Sequence, residues 1–411
     1  MRKNALLLLL LAMTACERQK IPGEDRVPVE IPVEEVARLL SVLPVGRDQV
    51  REVRDAVTVS ADNGYDEEYM LRDLFREPGA GVGSAPSVPD ASPSRSGADA
   101  RGAYSEPLRD LIESHVRSGA VTRAGGRTAD EYLDALRRSD VQIYWPYADW
   151  TGNSEEWPVI TFDPDDGTDA NVGWRSVVGA DGVRTVEEIT VDEDYARAHP
   201  VWVVNRNNDS AYKSLELMRR EDPDWGLSGG GDILVGPLRS GLRPATERTG
   251  GKKMRTLVLK SLTMKRQFDP WFAGASEFFV KLGALDEFYA STEAELLLYQ
   301  PTVTDFMIVV RRSMIGQPRP FNAVLVSDWT DQLQTCAFMI IEDDGGTRTS
   351  WKAEGEVKIK SKTYGFGVTL PFRTRDDIVW RGNLSSRYFE RYSNVTGHFG
   401  DVDLVFEVVE R

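Results

Sequence analysis

Cysteine and histidine are scarce in this chain of 411 residues, which contains two cysteines and three histidines. The cysteines are Cys16 and Cys336. The run from Thr335 to Ile341 around Cys336 predicts a buried strand, in which a thiol behaves as a small apolar side chain. The sequence contains no Cys-x-x-Cys, His-Glu-x-x-His or Walker motif, so it lacks the signatures of common zinc sites, zinc peptidases and P-loop nucleotide sites.

Positive charge is also in short supply, with 50 lysines and arginines against 65 aspartates and glutamates and a formal net charge of −15. An acidic surface repels polyanions, so a nucleic-acid partner needs a local basic patch. The nearest candidate consists of Arg248, Lys252, Lys253 and Arg255. Because this cluster is small, we predict that the protein has no nucleic-acid partner.

Long apolar runs are absent apart from a core of about ten residues near the start, which is too short for a bilayer-spanning helix. Arg2 and Lys3 precede this core, and small residues lead from it to Cys16. This is the layout of a secretory signal. The stretch resembles the signal of bacterial lipoproteins, in which the residue matching Cys16 is linked to diacylglycerol and acylated. The alternative is an ordinary signal peptide with an incidental cysteine.

The lipoprotein resemblance has three implications. It implies a signal peptide over residues 1–15 and lipidation of Cys16, with a membrane as partner through the acyl chains. Loss of Arg2 and Lys3 takes the formal charge from −15 to −17 (−15 − 2). Glu17 follows Cys16, rather than the aspartate associated with inner-membrane retention in some of these proteins. The resemblance therefore implies a lipid-anchored location in the cell envelope, at the outer membrane.

The pattern of apolar and turn residues divides the remaining chain into segments. Val33, Val36, Ala37 and Leu40 fall at helical spacing. Thr128 and Glu131 form a capping-box pattern that predicts another helix start. The predicted segments are a lipidated tether (16–32), a small helical region (33–77), a disordered linker (78–103), an α+β domain with an antiparallel sheet (104–205), an irregular glycine-rich connection (206–252) and a β-sandwich (253–411).

The fold class that this pattern predicts is mostly β with a few helices near the N-terminus. Strand patterns recur between Met254 and Val409 at intervals of roughly ten to twenty residues. About eight of them occur, a number typical of an antiparallel β-sandwich.

Acidic residues of the last segment concentrate where its predicted strands end. Calcium takes six to eight oxygen ligands, which loops at one end of a sandwich can supply. Glu342 belongs to the acidic run that follows the strand from Cys336 to Ile341. The residues predicted as metal ligands are Asp269, Glu277, Asp343, Asp344, Asp376 and Asp377. The alternative is that Asp and Gly at strand ends form ordinary turns.

Two stretches of this segment carry a family resemblance. The first runs from Leu257 through Phe268-Asp269-Pro270-Trp271 to Leu282, and the second consists of Ile340-Ile341-Glu342-Asp343-Asp344 together with Asp376-Asp377-Ile378. They resemble synaptotagmin-type calcium- and phospholipid-binding sandwiches (C2-like domains). The resemblance implies a C2-like sandwich over residues 253–411, with calcium as the possible cofactor held by the loop acids. Trp271 and Phe272 are either an exposed binding tip or side chains that close the sandwich core.

Two further motifs are weaker. Asp163, Asp165 and Asp169 lie in a loop that offers oxygen ligands, but the glycine and glutamate positions of a helix-loop-helix calcium site do not match, so an Asp/Gly turn is favoured. Gly226-Leu227-Ser228-Gly229-Gly230 fits Gly-x-Ser-x-Gly, yet it lacks the strand before and the helix after the serine that a nucleophile elbow requires.

Two functions remain open on the sequence. The first is an envelope lipoprotein that acts as a binding or scaffold module for an unknown protein or glycan ligand, without turnover. The second is an envelope hydrolase that uses carboxylates or Ser228. We predict the binding lipoprotein, because the catalytic motifs are missing; whether the chain is an enzyme is left open, with the balance against it.

Overall fold

The computed structural model describes residues 30–75, 104–119, 126–164, 166–207, 212–221, 255–389 and 394–410. Several predicted features lie outside these residues: the signal peptide, Cys16, the linker from 78 to 103, most of the connection from 206 to 252, and Ser228. Among the helices in the described parts, none is long and apolar enough to cross a membrane.

The N-terminal unit contains most of the helices. They are α1 (Val33–Val42), α2 (Arg47–Asp62), α3 (Leu71–Leu74), α4 (Leu108–Arg117), α5 (Ala129–Arg138), α6 (Ala148–Thr151) and α7 (Glu193–Ala198). The predicted capping box opens α5, because the Thr128 hydroxyl accepts from Glu131 N at 3.3 Å and Glu131 Oε2 accepts from Thr128 N at 2.8 Å. In α1, the predicted positions Val36, Ala37 and Leu40 are buried.

These helices pack on a six-stranded sheet with the order β1-β2-β6-β3-β4-β5. Its strands are β1 (Glu68–Met70), β2 (Val141–Tyr144), β3 (Val159–Phe162), β4 (Ala170–Val178), β5 (Arg184–Asp192) and β6 (Val201–Arg206). The sheet is mixed, since β3 pairs with β6 in parallel while its other pairs are antiparallel. The prediction of a purely antiparallel sheet is therefore wrong for this pair, whose connection runs through the β4-β5 hairpin and α7.

One core joins the two segments that the sequence divides at residues 78–103. Leu40 of α1, Val57 of α2 and Leu133 of α5 belong to the same buried cluster as Trp145 and Trp202 of the sheet region. Strand β1 also pairs with β2. The described residues within 30–75 and 104–207 thus form one folded unit.

The C-terminal unit is a sandwich of two sheets. The strands are β7 (Arg255–Met264), β8 (Ser276–Ala284), β9 (Thr302–Val310), β10 (Arg319–Trp329), β11 (Leu333–Glu342), β12 (Arg348–Ile359), β13 (Lys362–Arg373), β14 (Asp377–Ser385), β15 (Asn394–Phe399) and β16 (Val402–Glu410). The smaller sheet has four strands in the order β10-β7-β16-β15. The larger sheet has six strands, five of them in the order β13-β12-β11-β8-β9 and the sixth, β14, paired to β11. The predicted class, mostly β with N-terminal helices and a C-terminal sandwich, is confirmed. The described residues add β14 and β15 to the eight predicted strands.

Aromatic side chains fill the space between the two sheets. Phe338 of β11 lies 5.5 Å from Phe399 of β15 and 6.1 Å from Phe406 of β16, measured between ring centres. Such edge-on contacts add to the hydrophobic stabilisation of the core. Cys336 belongs to the same core and is fully buried, as its strand pattern predicts.

The long β12-β13 hairpin covers the outer face of the larger sheet. Val368 and Leu370 of β13 join Phe279 of β8 and Met339 of β11 in a second cluster on that face. Contact with β8 is close, since a Cβ added to Gly283 would lie 2.5 Å from a methyl group of Val368. Helix α8 (Leu215–Glu221) adds Leu217 to this cluster.

The N-terminal unit packs against the connection between β7 and β8. Asp66 accepts a hydrogen bond from Ala275 N at 2.8 Å, and the Asn205 amide donates to Ala273 O at 2.7 Å. Trp271 and Phe272 are buried in a cluster with Val201 and other residues of the N-terminal sheet. These two aromatics are therefore interface residues, neither an exposed tip nor the end of the sandwich core.

Candidate functional site

Three connections of the sandwich meet at one end because of the strand directions. Residues 265–275 join β7 to β8, residues 343–347 follow β11, and residues 374–376 precede β14. The antiparallel register places Glu342, at the end of β11, beside Phe278 near the start of β8 and beside Asp377 at the start of β14. All the acidic residues predicted as ligands are thus brought to the same end.

A cluster of three carboxylates forms the centre of this end. Asp269, Glu277 and Glu342 each place one carboxylate oxygen so that the three atoms lie within 4.8 Å of one another. Like charges at this separation repel strongly, more so where water is excluded. A proton or a cation between the oxygens relieves this repulsion.

Glu342 occupies a position that the strand pattern assigns to the core. Cys336, Phe338 and Ile340 face the space between the two sheets, and the alternation of the strand carries Glu342 to the same side. The residue is fully buried, and no N–H or hydroxyl group of the described residues donates to either of its carboxylate oxygens, whose polar neighbour is the carboxyl group of Asp269. A buried carboxylate without a donor costs free energy, so this side chain points to a missing ligand.

The electrostatics of the cluster favour protonation when no ion is bound. Burial raises the pKa of Glu342 well above its ordinary value, and the neighbouring Asp269 raises it further. Burial also raises the pKa of Asp269, whose Oδ2 lacks a hydrogen-bond partner, against the opposing charge of Arg312. For Asp344, burial and the charges of Asp269 and Asp377 raise the pKa to about 7.

Arg312 holds the connection that carries Asp269. Its guanidinium donates to Asp269 O at 3.2 Å and to Gly274 O at 3.3 Å, while Nε donates to Glu193 of the N-terminal unit at 2.9 Å. Gly274 has φ of +132°, a conformation that favours glycine. The backbone of the loop is thus fixed from the side of the N-terminal unit, and the Asp269 carboxylate remains free to face the cluster.

Two of the predicted ligands have structural partners instead. Asp343 is nearly buried, pairs with Arg373 at 3.2 Å and accepts a hydrogen bond from Gly345 N at 2.9 Å. Burial raises its pKa to about 6 although Arg373 opposes the shift. Asp376 accepts from Arg373 N at 2.6 Å through Oδ2. For these residues the turn interpretation of the sequence accounts for part of the geometry.

Asp377 and Asp344 complete the acidic end. Asp377 is exposed and is the first residue of β14, a strand that the sequence does not predict. Asp344 is half-buried beside Asp269. Asp377 lies beside Asp344, and Asp344, as the neighbour of Asp269, is the candidate for a fourth oxygen ligand.

A cavity of about 350 Å³ opens against the cluster. Asp269, Glu277 and Asp344 line it from the sandwich, and residues of the N-terminal unit form another wall. Asp163 and Gly167 belong to this wall, so the second acidic loop noted in the sequence borders the same cavity as the first. Within that loop, Asp166 makes a turn by accepting from Thr168 N at 3.0 Å, as the turn interpretation predicts.

The donor set decides what the cluster can bind. Its ligand atoms are all carboxylate oxygens, which suit hard divalent cations such as calcium, magnesium and manganese, whereas zinc and copper favour nitrogen and sulfur. An ion would relieve the repulsion among the three carboxylates and supply the partner that Glu342 lacks.

Sequence reasoning identified the acidic end but not its central residue. Glu342 was noted among the acids after β11, yet it was not predicted as a ligand. A usable signal is present, since Glu342 directly continues the apolar run from Cys336 to Ile341 of a buried strand. The proximity of Asp269 to Glu342, 73 residues later in the chain, needed the fold.

Other groups with catalytic potential are engaged or buried in the described residues. His199 contacts Glu156 at 2.7 Å, and His398 contacts Asp403 at 2.7 Å, both at exposed positions. Burial raises the pKa of the Cys336 thiol well above its ordinary value, which disfavours the nucleophilic thiolate. Ser228, the residue of the alternative hydrolase interpretation, lies outside the described residues.

Comparisons with models of protein families, with curated proteins and with solved structures find no match to this chain.

Proposed function

We propose that this protein is a lipid-anchored lipoprotein of the bacterial cell envelope whose C-terminal sandwich is a binding module that holds a calcium ion. The ion is held by Asp269, Glu277 and Glu342, with Asp344 as a further oxygen ligand. One observation carries the cation site: Glu342 is fully buried, no N–H or hydroxyl group of the described residues donates to its carboxylate, and one of its oxygens lies within 4.8 Å of two other carboxylate groups.

Calcium is the cation that this setting favours. It accepts irregular sets of six to eight oxygen ligands at 2.3–2.6 Å, whereas magnesium demands near-ideal octahedral geometry and keeps much of its water. The half-buried cluster offers several carboxylates on separate loops and strands, with a cavity on one side for further ligands. The C2-like resemblance of the sequence supports the same choice.

Thermal unfolding in calcium and then in excess chelator tests the cation site. A ligand that binds only the native state stabilises it by ~2.7 kcal/mol at a hundredfold excess over the dissociation constant. We expect calcium to raise Tm of the wild-type protein. The variant Glu342→Gln keeps the shape of the side chain but removes its charge, so the rise in Tm should disappear.

Glu354→Gln is the matched control, because Glu354 is an exposed glutamate of β12 in the same unit. This variant should keep the full response to calcium. Absence of any shift in the wild-type protein would contradict the cation site. A shift that persists in Glu342→Gln would place the bound ion elsewhere.

The anchor requires a separate experiment, since Cys16 lies outside the described residues. Lipidation would attach acyl chains to this residue, and each buried CH₂ contributes ~0.8 kcal/mol to membrane binding. In a detergent-phase partition of the full chain, we expect the wild-type protein in the detergent phase and Cys16→Ala in the aqueous phase. Equal partition of the two proteins would refute lipidation.

A further inference from the structure

The cavity beside the candidate cation site is bounded by both units of the molecule. Asp269, Glu277, Asp344 and Arg375 line it from the sandwich, and Asp163, Arg206 and Asn207 line it from the N-terminal unit. Its volume of about 350 Å³ exceeds what one ion fills and lies at the lower end of the ~300–1,000 Å³ typical of small-molecule sites. A ligand about the size of one sugar ring suits this space.

The coordination of an ion at the cluster would be incomplete on the cavity side. The protein supplies three carboxylates and Asp344, whereas calcium takes six to eight oxygen ligands. Glu342 does not line the cavity, but Asp269 and Glu277 do. The open positions of the ion would therefore face the cavity, where a ligand can fill them with oxygen atoms of its own.

Two side chains of the wall define the remaining chemistry. Arg375 is exposed, and its guanidinium has neither a carboxylate partner nor a hydrogen bond within the described part of the chain. A guanidinium in this state is an anchor for a carboxylate or phosphate group. The other cation of the wall, Arg206, is already paired with Asp140 at 2.7 Å.

Asn207 closes the wall on the side of the N-terminal unit. It is 6% exposed, and its Nδ2 donates to Glu68 at 2.8 Å and to Gln142 at 3.1 Å. Its Oδ1 lacks a hydrogen-bond partner. Both amide hydrogens are thus engaged within the protein and the oxygen is enclosed, so Asn207 forms part of the wall without offering a polar group to a ligand.

From these features we infer that the cavity binds a small organic carboxylate or phosphate of about the size of one sugar ring, such as a sugar acid or a polyol phosphate. The anionic group bridges the bound cation and Arg375. This inference rests on the proposed cation site and names the ligand class of that site.

The position of the cavity favours a small soluble ligand over a membrane surface. Trp271 and Phe272, next to Asp269, are buried against the N-terminal sheet. The Arg312 guanidinium further joins this connection to Glu193. The acidic end is therefore covered by the N-terminal unit on this side, which leaves room for a small molecule but keeps a flat bilayer at a distance.

Isothermal titration of the full chain with glucuronate, and separately with glycerol 3-phosphate, tests the inference. We expect at least one of these probes to bind in calcium and neither to bind in excess chelator. Arg375→Gln should weaken binding by about tenfold or more, since it removes a charge-assisted contact. Arg387→Gln, an exposed arginine at the other end of β14, is the matched control and should bind as the wild type does.

The outcomes separate this inference from the proposed function. If calcium raises Tm but neither probe binds, or if Arg375→Gln binds as tightly as wild type, the ligand inference is wrong and the cation site stands. If calcium produces no shift in Tm, the cation site itself fails and this inference fails with it. Calcium-dependent sedimentation with phosphatidylserine vesicles, without binding of either probe, would overturn the inference in favour of a lipid headgroup.

Discussion

Glu342 continues the inward-facing series of Cys336, Phe338 and Ile340 on β11, where the core would accept another apolar side chain. The glutamate is fully buried, and no N–H or hydroxyl group of the described residues donates to either oxygen. Burial of such a group opposes folding unless something compensates for it. The residue therefore lowers the stability of the ion-free protein, and a bound cation would compensate for this loss.

This exchange predicts the effect of Glu342→Leu. In chelator, we expect the free energy of unfolding to rise by about 1–3 kcal/mol, because a leucine meets the apolar surroundings without a desolvation penalty. In calcium, the variant should lose the stabilisation that the wild-type protein gains. Chemical denaturation in both conditions measures the two effects.

Glu354→Leu is the control for this measurement, because its exposed position should change the stability by less than about 0.5 kcal/mol. A lower stability of Glu342→Leu in chelator would contradict the argument. It would mean that the carboxyl group makes a structural hydrogen bond.

The sequence predicted the acidic residues of the site but not their roles. Composition and strand ends pointed to Asp269, Glu277 and Asp344. Nothing in the local sequence separates these from Asp343, which the fold pairs with Arg373 from the next strand but one. Such a pairing across 30 residues depends on the register of the β12-β13 hairpin.

At the scale of elements, the predicted strands are either continuous apolar runs buried on both faces, such as β11, or alternations of buried and exposed side chains. Strand β12 follows the alternating pattern with Ala353, Val357 and Ile359 on its buried face. The strands that were not predicted carry polar or small residues at their centres. Strand β14 contains Arg381-Gly382-Asn383 at its centre, so its pairing partner defines it more than its own side chains do.

The packing of the β12-β13 hairpin on β8 gives a prediction for Gly283→Ala. A Cβ at this position would lie 2.5 Å and 2.9 Å from the two methyl groups of Val368. The hairpin must shift to relieve this overlap, so we expect a loss of about 1–3 kcal/mol in the free energy of unfolding.

Gly367→Ala in β13 provides the control, because a Cβ there would have no atom within 4 Å. This variant should stay within about 0.5 kcal/mol of the wild type. Equal effects of the two substitutions in urea denaturation would show that the hairpin does not pack on β8 as described.

At the scale of the whole molecule, the junction of the two units contains a buried pair of acids. Asp66 accepts a hydrogen bond from Ala275 N, a residue 209 positions further along the chain. Its neighbour Glu67 is 3% exposed and lies 3.7 Å from Arg311 of the sandwich. Contacts between residues so distant in the chain leave no local signal, and the sequence accordingly indicated two units but not how they join.

This junction makes stability depend on pH. Burial raises the pKa of Asp66 to about 6, although hydrogen bonds from Ala275 and Glu67 oppose the shift. Burial and the charge of Asp66 raise the pKa of Glu67 to about 8. Both values exceed those of ~4 in an unfolded chain, so the native state holds more protons between about pH 4 and pH 8, and stability falls as the pH rises through this range.

We therefore expect Tm in chelator to be higher at pH 5 than at pH 8, with a difference in stability of at least ~2 kcal/mol. Glu67→Gln should reduce this difference, because it removes the group with the higher pKa. The raised pKa values of the acids at the cation site also make stability fall as the pH rises. The difference between the pH profiles of the wild type and Glu67→Gln therefore isolates the contribution of the junction. A pH profile that is unchanged by Glu67→Gln, measured beside Glu354→Gln, would contradict this account.

The strand order β10-β7-β16-β15 places the first strand of the sandwich beside its last one. Along β16, residues from Val402 to Glu410 pair with β7 from Met264 back to Arg255. During synthesis, β7 is therefore completed about 140 residues before β16, the strand that pairs with one of its edges. During that interval β7 exposes an open hydrogen-bonding edge, and loss of the last ten residues would leave the smaller sheet divided in the middle.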